Sequence, residues 1–229
     1  MMIARNFSTT PQAILLENPN LGNRLHVGQK IWIPQKCRYN RFSLQCCSRS
    51  LVEAKQTLNN RFRLLWEQHV YWTRMFLMSS IFGLPDADAV TNRLLQNPQN
   101  FAVVLQDFYD EEDVATFVDL FTEHFTIAAE LVTAAKAGDN ATATDAERRW
   151  YANADSIAEF FESINPYWSE HEWKQLLYDH LAMTKNEAVY MLTQKYEDSI
   201  RIFDDIEQEA MEMADTMTQG IIKQFSISD

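Results

Sequence analysis

From Leu51 to the C-terminus, apolar residues recur three and four positions apart, interrupted by only three glycines and three prolines, Gly83, Gly138, Gly220, Pro85, Pro98 and Pro166. This spacing is that of helices burying one face. A first seam reads Leu58, Phe62, Leu65, His69, Trp72 and Phe76, and stops near Gly83-Leu84-Pro85. Shorter pieces surround Asn97-Pro98. A second seam reads Val114, Phe117, Phe121, His124, Ala128, Leu131 and Ala135 before Gly138. A third runs through Ala146, Trp150, Asn153, Ile157, Phe160 and Ile164 to Asn165-Pro166. The fourth starts at Ser169, a helix-capping residue followed by acids, and reads Trp173, Leu177, His180, Thr184, Glu187 and Met191. It continues or kinks into Ile200, Phe203, Ala210, Met213 and Met217 and ends by Gly220. Short connections between long amphipathic helices predict an all-α antiparallel bundle of four long helices plus short ones over residues 51–229.

Charge separates this body from what precedes it. Residues 1–50 hold seven Lys/Arg against one acid, +6, so of the total −12 the remainder carries −18. A body of that sign repels phosphate backbones, which excludes nucleic acid as its partner. No stretch approaches the ~18 consecutive apolar residues of a membrane span. Residues 36–50 read as a basic linker containing Cys37, Cys46 and Cys47. An odd count without CxxC spacing describes reduced thiols rather than a disulfide framework or zinc knuckle.

Within residues 1–35 the order is helix, helix, loop and strand, the strand being the alternating Ile31, Trp32, Ile33 closed by Pro34. Asn18-Pro19, Leu25 and Val27-Gly28-Gln29-Lys30-Ile31-Trp32-Ile33-Pro34 resemble the second half of a LysM module. The family's first strand and its Gly-Asp-Thr-Leu loop have no counterpart here, so the likeness covers a partial α+β module. The resemblance implies binding to peptidoglycan or another N-acetylglucosamine polymer through the loop Asn18, Pro19, Asn20, Leu21, Gly22 and Asn23. It favours the cell envelope or spore surface as location. The cytoplasm is the alternative, because MMIARNFSTT lacks the apolar core of an export signal.

Over residues 60–225 the strings LPDADAVTNRLLQNP, EHFTIAAELVTAAKAGD, RRWYANADSIAEF, INPYWSEHEW and MADTMTQGIIKQF resemble an uncharacterised helical family of Bacillus- and Clostridium-like bacteria. Some of its members are described as acetylglutamate kinases, and no catalytic residues are established for it. That kinase class needs an α/β sheet with glycine-rich phosphate loops, and neither GxxxxGK[ST] nor GxGxxG follows a strand pattern here.

The chemical lead is that each seam carries one polar residue: His69, His124, Asn153 and His180. Converging imidazoles could ligate zinc, iron or copper, or hold a small ligand; the plainer expectation is a set of buried, hydrogen-bonded core residues. If they share one polar layer, Glu67 or Glu123 is placed to orient a histidine. No histidine stands in a Glu-x-x-His pair, which argues against a di-iron carboxylate centre. The acids between Glu197 and Asp215 lack calcium-loop spacing and read as a solvated helix face. Trp66, Trp72, Trp150, Tyr151, Trp168 and Trp173 read as core rather than as a sugar platform. The expectation is a non-enzymatic envelope protein whose bundle serves structure or a protein partner, with a metal- or small-ligand-binding bundle as the alternative.

Overall fold

The computed structural model describes residues 43–225, with side chains from Val52 onward. The chain divides into two units, Met1–Val52 and Glu53–Asp229, and the contacts below are those of the second. The LysM-like residues 1–35, including the loop from Asn18 to Asn23, and Cys37 lie outside the described residues.

Among the described residues there are seven helices and no strand: α1 Ser43–Phe82, α2 Ala87–Leu94, α3 Asn97–Leu105, α4 Glu111–Ala137, α5 Asn140–Ile164, α6 Glu170–Leu192 and α7 Tyr196–Gln224. Cys46 and Cys47 fall in the opening turns of α1. The chain is all-α here, and no described helix is long and apolar enough to cross a membrane. Helix α4 packs along α5, α5 along α6, and α6 along α7, while α3 lies against α4.

The helix starts follow local chemistry. Asp110 accepts from the backbone N–H of Glu112 and Asp113 at 3.1 and 3.0 Å, and three acids fill the first turn of α4, where they complement the helix dipole. Asp139 caps α5 through Thr142, and Ser169 caps α6 through Glu172, as the sequence pattern predicts.

The count of long helices differs from expectation. What reads as one kinked fourth helix is two, separated at Thr193–Lys195. Gln194 takes a left-handed φ of 61°, Lys195 N–H donates to Tyr190 O at 2.8 Å and Gln194 N–H to Met191 O at 3.2 Å. These are the two bonds of a Schellman stop. The same closure ends α1 at Gly83, where Leu84 N–H donates to Ser79 O, and α4 at Gly138, where Asp139 N–H donates to Ala134 O. At those two sites glycine signals the left-handed residue; at Gln194 a side chain occupies it at a cost of about 1–2 kcal/mol, so no punctuation is visible in the sequence.

Gly220 also departs from expectation. It lies inside α7, which runs on to Gln224, and its function is spatial: a Cβ there would stand 2.0 Å from Trp168 Nε1. The missing side chain lets the connection between α5 and α6 lie directly on α7, with the Trp168 indole N–H donating to Met217 O at 3.2 Å.

One continuous core fills the unit. Phe62, Trp66, Phe101, Phe117, Phe121 and Phe161 form an aromatic cluster with Trp168 and Trp173. Trp66, Trp150, Trp168 and Trp173 are buried, while Trp72 and Tyr151 pack against the core half-exposed. The chain from α2 to α3 is held to α1 by Asn97, whose amide donates to Leu65 O at 3.1 Å.

Candidate functional site

Helical periodicity delivers all four seam residues to the interior. His69 on α1, His124 on α4, Asn153 on α5 and His180 on α6 are each 5% exposed or less. They meet as two pairs.

In the first pair, His69 Nε2 lies 3.4 Å from His180 Nε2. The His69 ring stacks on Phe125, with centroids 4.8 Å apart and planes within 12°, and its edge meets Trp66. On the far side of His180, Nδ1 lies 2.9 Å from Glu209 Oε2. Glu209 belongs to α7 and is buried, contrary to the reading of the Glu197–Asp215 acids as a wholly solvated face.

In the second pair, His124 Nδ1 lies 2.8 Å from Asn153 Oδ1. The Asn153 amide donates to Leu120 O and to Glu123 Oε2, both at 3.1 Å. Those two acceptors fix the amide orientation, so Oδ1 must accept and His124 Nδ1 must carry the proton. Glu123 therefore orients the histidine at one remove, as its sequence position suggests, whereas Glu67 is exposed on α1. Burial pushes the His124 pKa down to about 3, against the raising effect of Asn153. Burial, reinforced by His180 and His124, holds His69 well below the ordinary histidine value. Both rings are neutral at pH 7.

A third polar group adjoins these. The Arg74 guanidinium on α1 donates to Glu187 Oε1 on α6 and to Ser199 O at 3.1 Å on α7, and lies 4.7 Å from the Phe203 ring. Burial nevertheless pushes the Glu187 carboxyl up to about 7.

His69, His124 and His180 all line a single cavity of about 190 Å³. Its walls are otherwise largely carbon, contributed by Phe76, Leu77, Phe125, Leu131 and Leu192 among others. Space is left where the helices present small residues, Ala128, Ala135, Ala143 and Ala188. At its edge Lys185 donates to Glu147 Oε1 at 2.5 Å, both side chains about a third exposed or more. Four polar atoms on its lining residues are buried without a partner: His69 Nδ1, Thr73 Oγ1, Trp150 Nε1 and Thr184 Oγ1. Native interiors leave few such atoms, because each costs about 1–3 kcal/mol.

Among the described residues no group of three or more His, Cys, Asp or Glu side chains is placed to hold a metal ion.

Sequence reasoning brings the right four seam residues inside and misses Glu209, Thr73 and the Trp150 N–H. Glu209 did carry a signal, standing three residues after Ile206 and four before Met213, both buried. Thr73 and Trp150 reach the site because they follow or precede a seam polar residue by about one turn. No family model, curated protein or solved structure matches the chain.

Proposed function

We propose that the bundle binds a small, neutral, amphiphilic molecule in the cavity bordered by the three histidines. The observation that supports this most is a largely carbon-walled cavity of about 190 Å³ with three histidines among its lining residues. A cavity of about 190 Å³ exceeds the ~150 Å³ of apolar cavities that take up benzene, which sets the occupant at about seven to ten non-hydrogen atoms. Polar residues among the lining, Asn140 and Thr144 besides the histidines, suit an occupant with a hydrogen-bonding group on a hydrocarbon body. A charged occupant is disfavoured: His69 and His124 are neutral, and the Lys185 cation at the rim is paired with Glu147.

The test is a titration of the full chain with phenol and with cyclohexanol, followed by thermal unfolding and tryptophan emission. At about 10 mM ligand and a Kd near 1 mM, stabilisation is ~1.4 kcal/mol, a rise of roughly 3–5 °C. Ala188→Leu, which fills the cavity from α6, should keep the fold and abolish the shift. No shift with either ligand, or an equal shift in Ala188→Leu, overturns the reading.

The envelope role expected from the LysM resemblance is a separate proposal. It rests on Asn18, Pro19, Asn20, Leu21, Gly22 and Asn23, outside the described residues, and the cavity neither requires nor opposes it.

A further inference from the structure

We infer that the outer face of α1, together with the adjoining edge of α7, docks a basic amphipathic helix from another protein. This surface lies on the opposite side of α1 from the cavity and is independent of it.

Helix α1 carries two apolar stripes. One is the buried core seam; the other is Leu64, Tyr71, Met75, Met78 and Phe82, all exposed. Steps of seven, four, three and four residues put this second stripe in the a/d register of a coiled coil, with Gln68 at the remaining seam position. Nine positions turn a helix through about half a circle more than two full turns, so Met75 points away from the buried Trp66, and Met78 away from His69. Helix α7 widens the stripe. Tyr196 meets the Phe82 ring at 6.1 Å and Phe203 meets Tyr71 at 5.3 Å, and Ile200, between those two residues on α7, is exposed. The five side chains of α1, with Tyr196 and Ile200, are each 38% to 55% exposed. At ~200 Å² for a side chain of this size they leave about 600 Å² of largely apolar surface open, the top of the range for the largest patch on a monomer, where function is common.

Charge and area name the occupant. Glu67, Asp204 and Glu207 stand around Tyr71: its O–H donates to Glu207 Oε1 at 3.1 Å, and that bond, with the charges of the three acids, pushes the hydroxyl above its ordinary pKa. Three cations of the same stretch are already engaged, Arg63 with Asp215, Arg74 with Glu187 and Arg201 with Asp198. An apolar seam with an acidic flank complements a helix whose apolar stripe is bordered by Lys or Arg. The two methionines, unbranched and polarisable, adapt to such a partner's side chains. A second copy fits worse. It would bring another acidic flank and another body of −18 against this one, and about 600 Å² falls short of the ~800 Å² that each partner buries in a standard interface. From Leu64 to Phe82 the stripe runs about 27 Å, the length of a single helix of five turns.

The test is fluorescence anisotropy of the full chain with a labelled synthetic helix of about three heptads, carrying Ile at a, Leu at d and Lys at e and g. Binding with a Kd of ~10 µM or tighter is expected in ~0.1 M salt, and a helix with Glu in place of each of those Lys should bind at least ~10-fold more weakly. Met75→Lys combined with Met78→Lys changes only exposed side chains, so the circular-dichroism melt should be kept while affinity for the Lys helix falls at least ~10-fold. Glu159→Lys, at an exposed acid on α5, makes the same change in net charge and should weaken binding no more than about twofold. No binding at ~100 µM, equal binding of the two helices, or equal losses in the two variants overturns the inference. Sedimentation of the chain alone should show a monomer. A dimer that the methionine changes dissolve gives the face to a second copy, and retention on phosphatidylcholine vesicles that they abolish gives it to a membrane; either result overturns the docking of a foreign helix.

Discussion

Replacing Gly220 with alanine should destabilise the bundle, although alanine is the better helix former. The Cβ would lie 2.0 Å from Trp168 Nε1 and 2.3 Å from Cδ1, where ordinary contact distances are ~3.5–4.0 Å. The ring must retreat by roughly 1.5 Å to reach that range. It has nowhere to go: Trp168 is 0% exposed, with Tyr109, Phe161 and Trp173 rings at 5.7, 5.2 and 6.3 Å. Overpacking of this kind costs about 1–3 kcal/mol. Losing the indole hydrogen bond to Met217 O adds about 1–3 kcal/mol, and alanine's helix propensity returns about 1 kcal/mol. The net is near 3 kcal/mol, or a fall in Tm of roughly 6–12 °C for a unit of this size. Urea unfolding monitored by circular dichroism measures it. Because the clash is with the pyrrole edge of the indole, Trp168→Phe in the same chain should make the two changes cost about 1–2 kcal/mol less together than their sum. A Gly220→Ala chain as stable as the parent, or strict additivity with Trp168→Phe, refutes the account of this glycine as a packing requirement.

Asn153→Ala leaves the His124 N–H without an acceptor, and should cost about 1–3 kcal/mol in urea unfolding; nitrogen-15 spectra should show His124 no longer held as its Nδ1 tautomer. Acid should weaken the fold. Below 6.5 the unfolded chain takes up protons on His69 and His124 that the folded chain refuses, His124 down to about 3, so stability is lost as pH falls. Glu187 acts in the opposite sense: its folded carboxyl keeps a proton up to about 7 against an ordinary 4.5, so its contribution shrinks as pH rises between those values. Two groups oppose one, which gives a net loss of ~1.4 kcal/mol per pH unit on acidification from about 6 to 5, and about twice that below 4.5 where Glu187 no longer contributes. Stability that is flat or rises across pH 6 to 4.5 would show that the imidazoles are not held neutral.

The helices were legible because their cores obey a period that side-chain identity reports directly. Phe117, Phe121, His124 and Leu131 are read as one face and are all buried. The stops were legible only where chemistry advertises them. Gly83 and Gly138 end their helices in the left-handed conformation that glycine adopts freely; Gln194 adopts the same conformation without looking the part, and α6 and α7 therefore merge when read from sequence. Gly220 misleads in the reverse direction. A glycine near a chain end reads as a terminator, yet its φ is not in the left-handed region and it serves the close approach of Trp168.

The site divides along the same line. That His69, His124, Asn153 and His180 are interior follows from period alone. What period does not carry is depth and direction, which decide that His69 meets His180 rather than His124 and that His180 turns its second nitrogen to Glu209. Nor does it carry emptiness: alanines on α4, α5 and α6 line the cavity together, and a sequence displays each alanine as an ordinary helix former. Glu209 is the sharpest case. One position from the buried Ala210 and surrounded by Asp204, Asp205, Glu207 and Glu212, it resembles its exposed neighbours in every respect except its angle on the helix. A turn of 100° per residue separates it from Gln208, which is enough to move a carboxylate from water to within hydrogen-bond reach of His180. The contact of Glu209 with His180 depends on that angle more than on any motif, since it brings a carboxylate on α7 to 2.9 Å from an imidazole on α6.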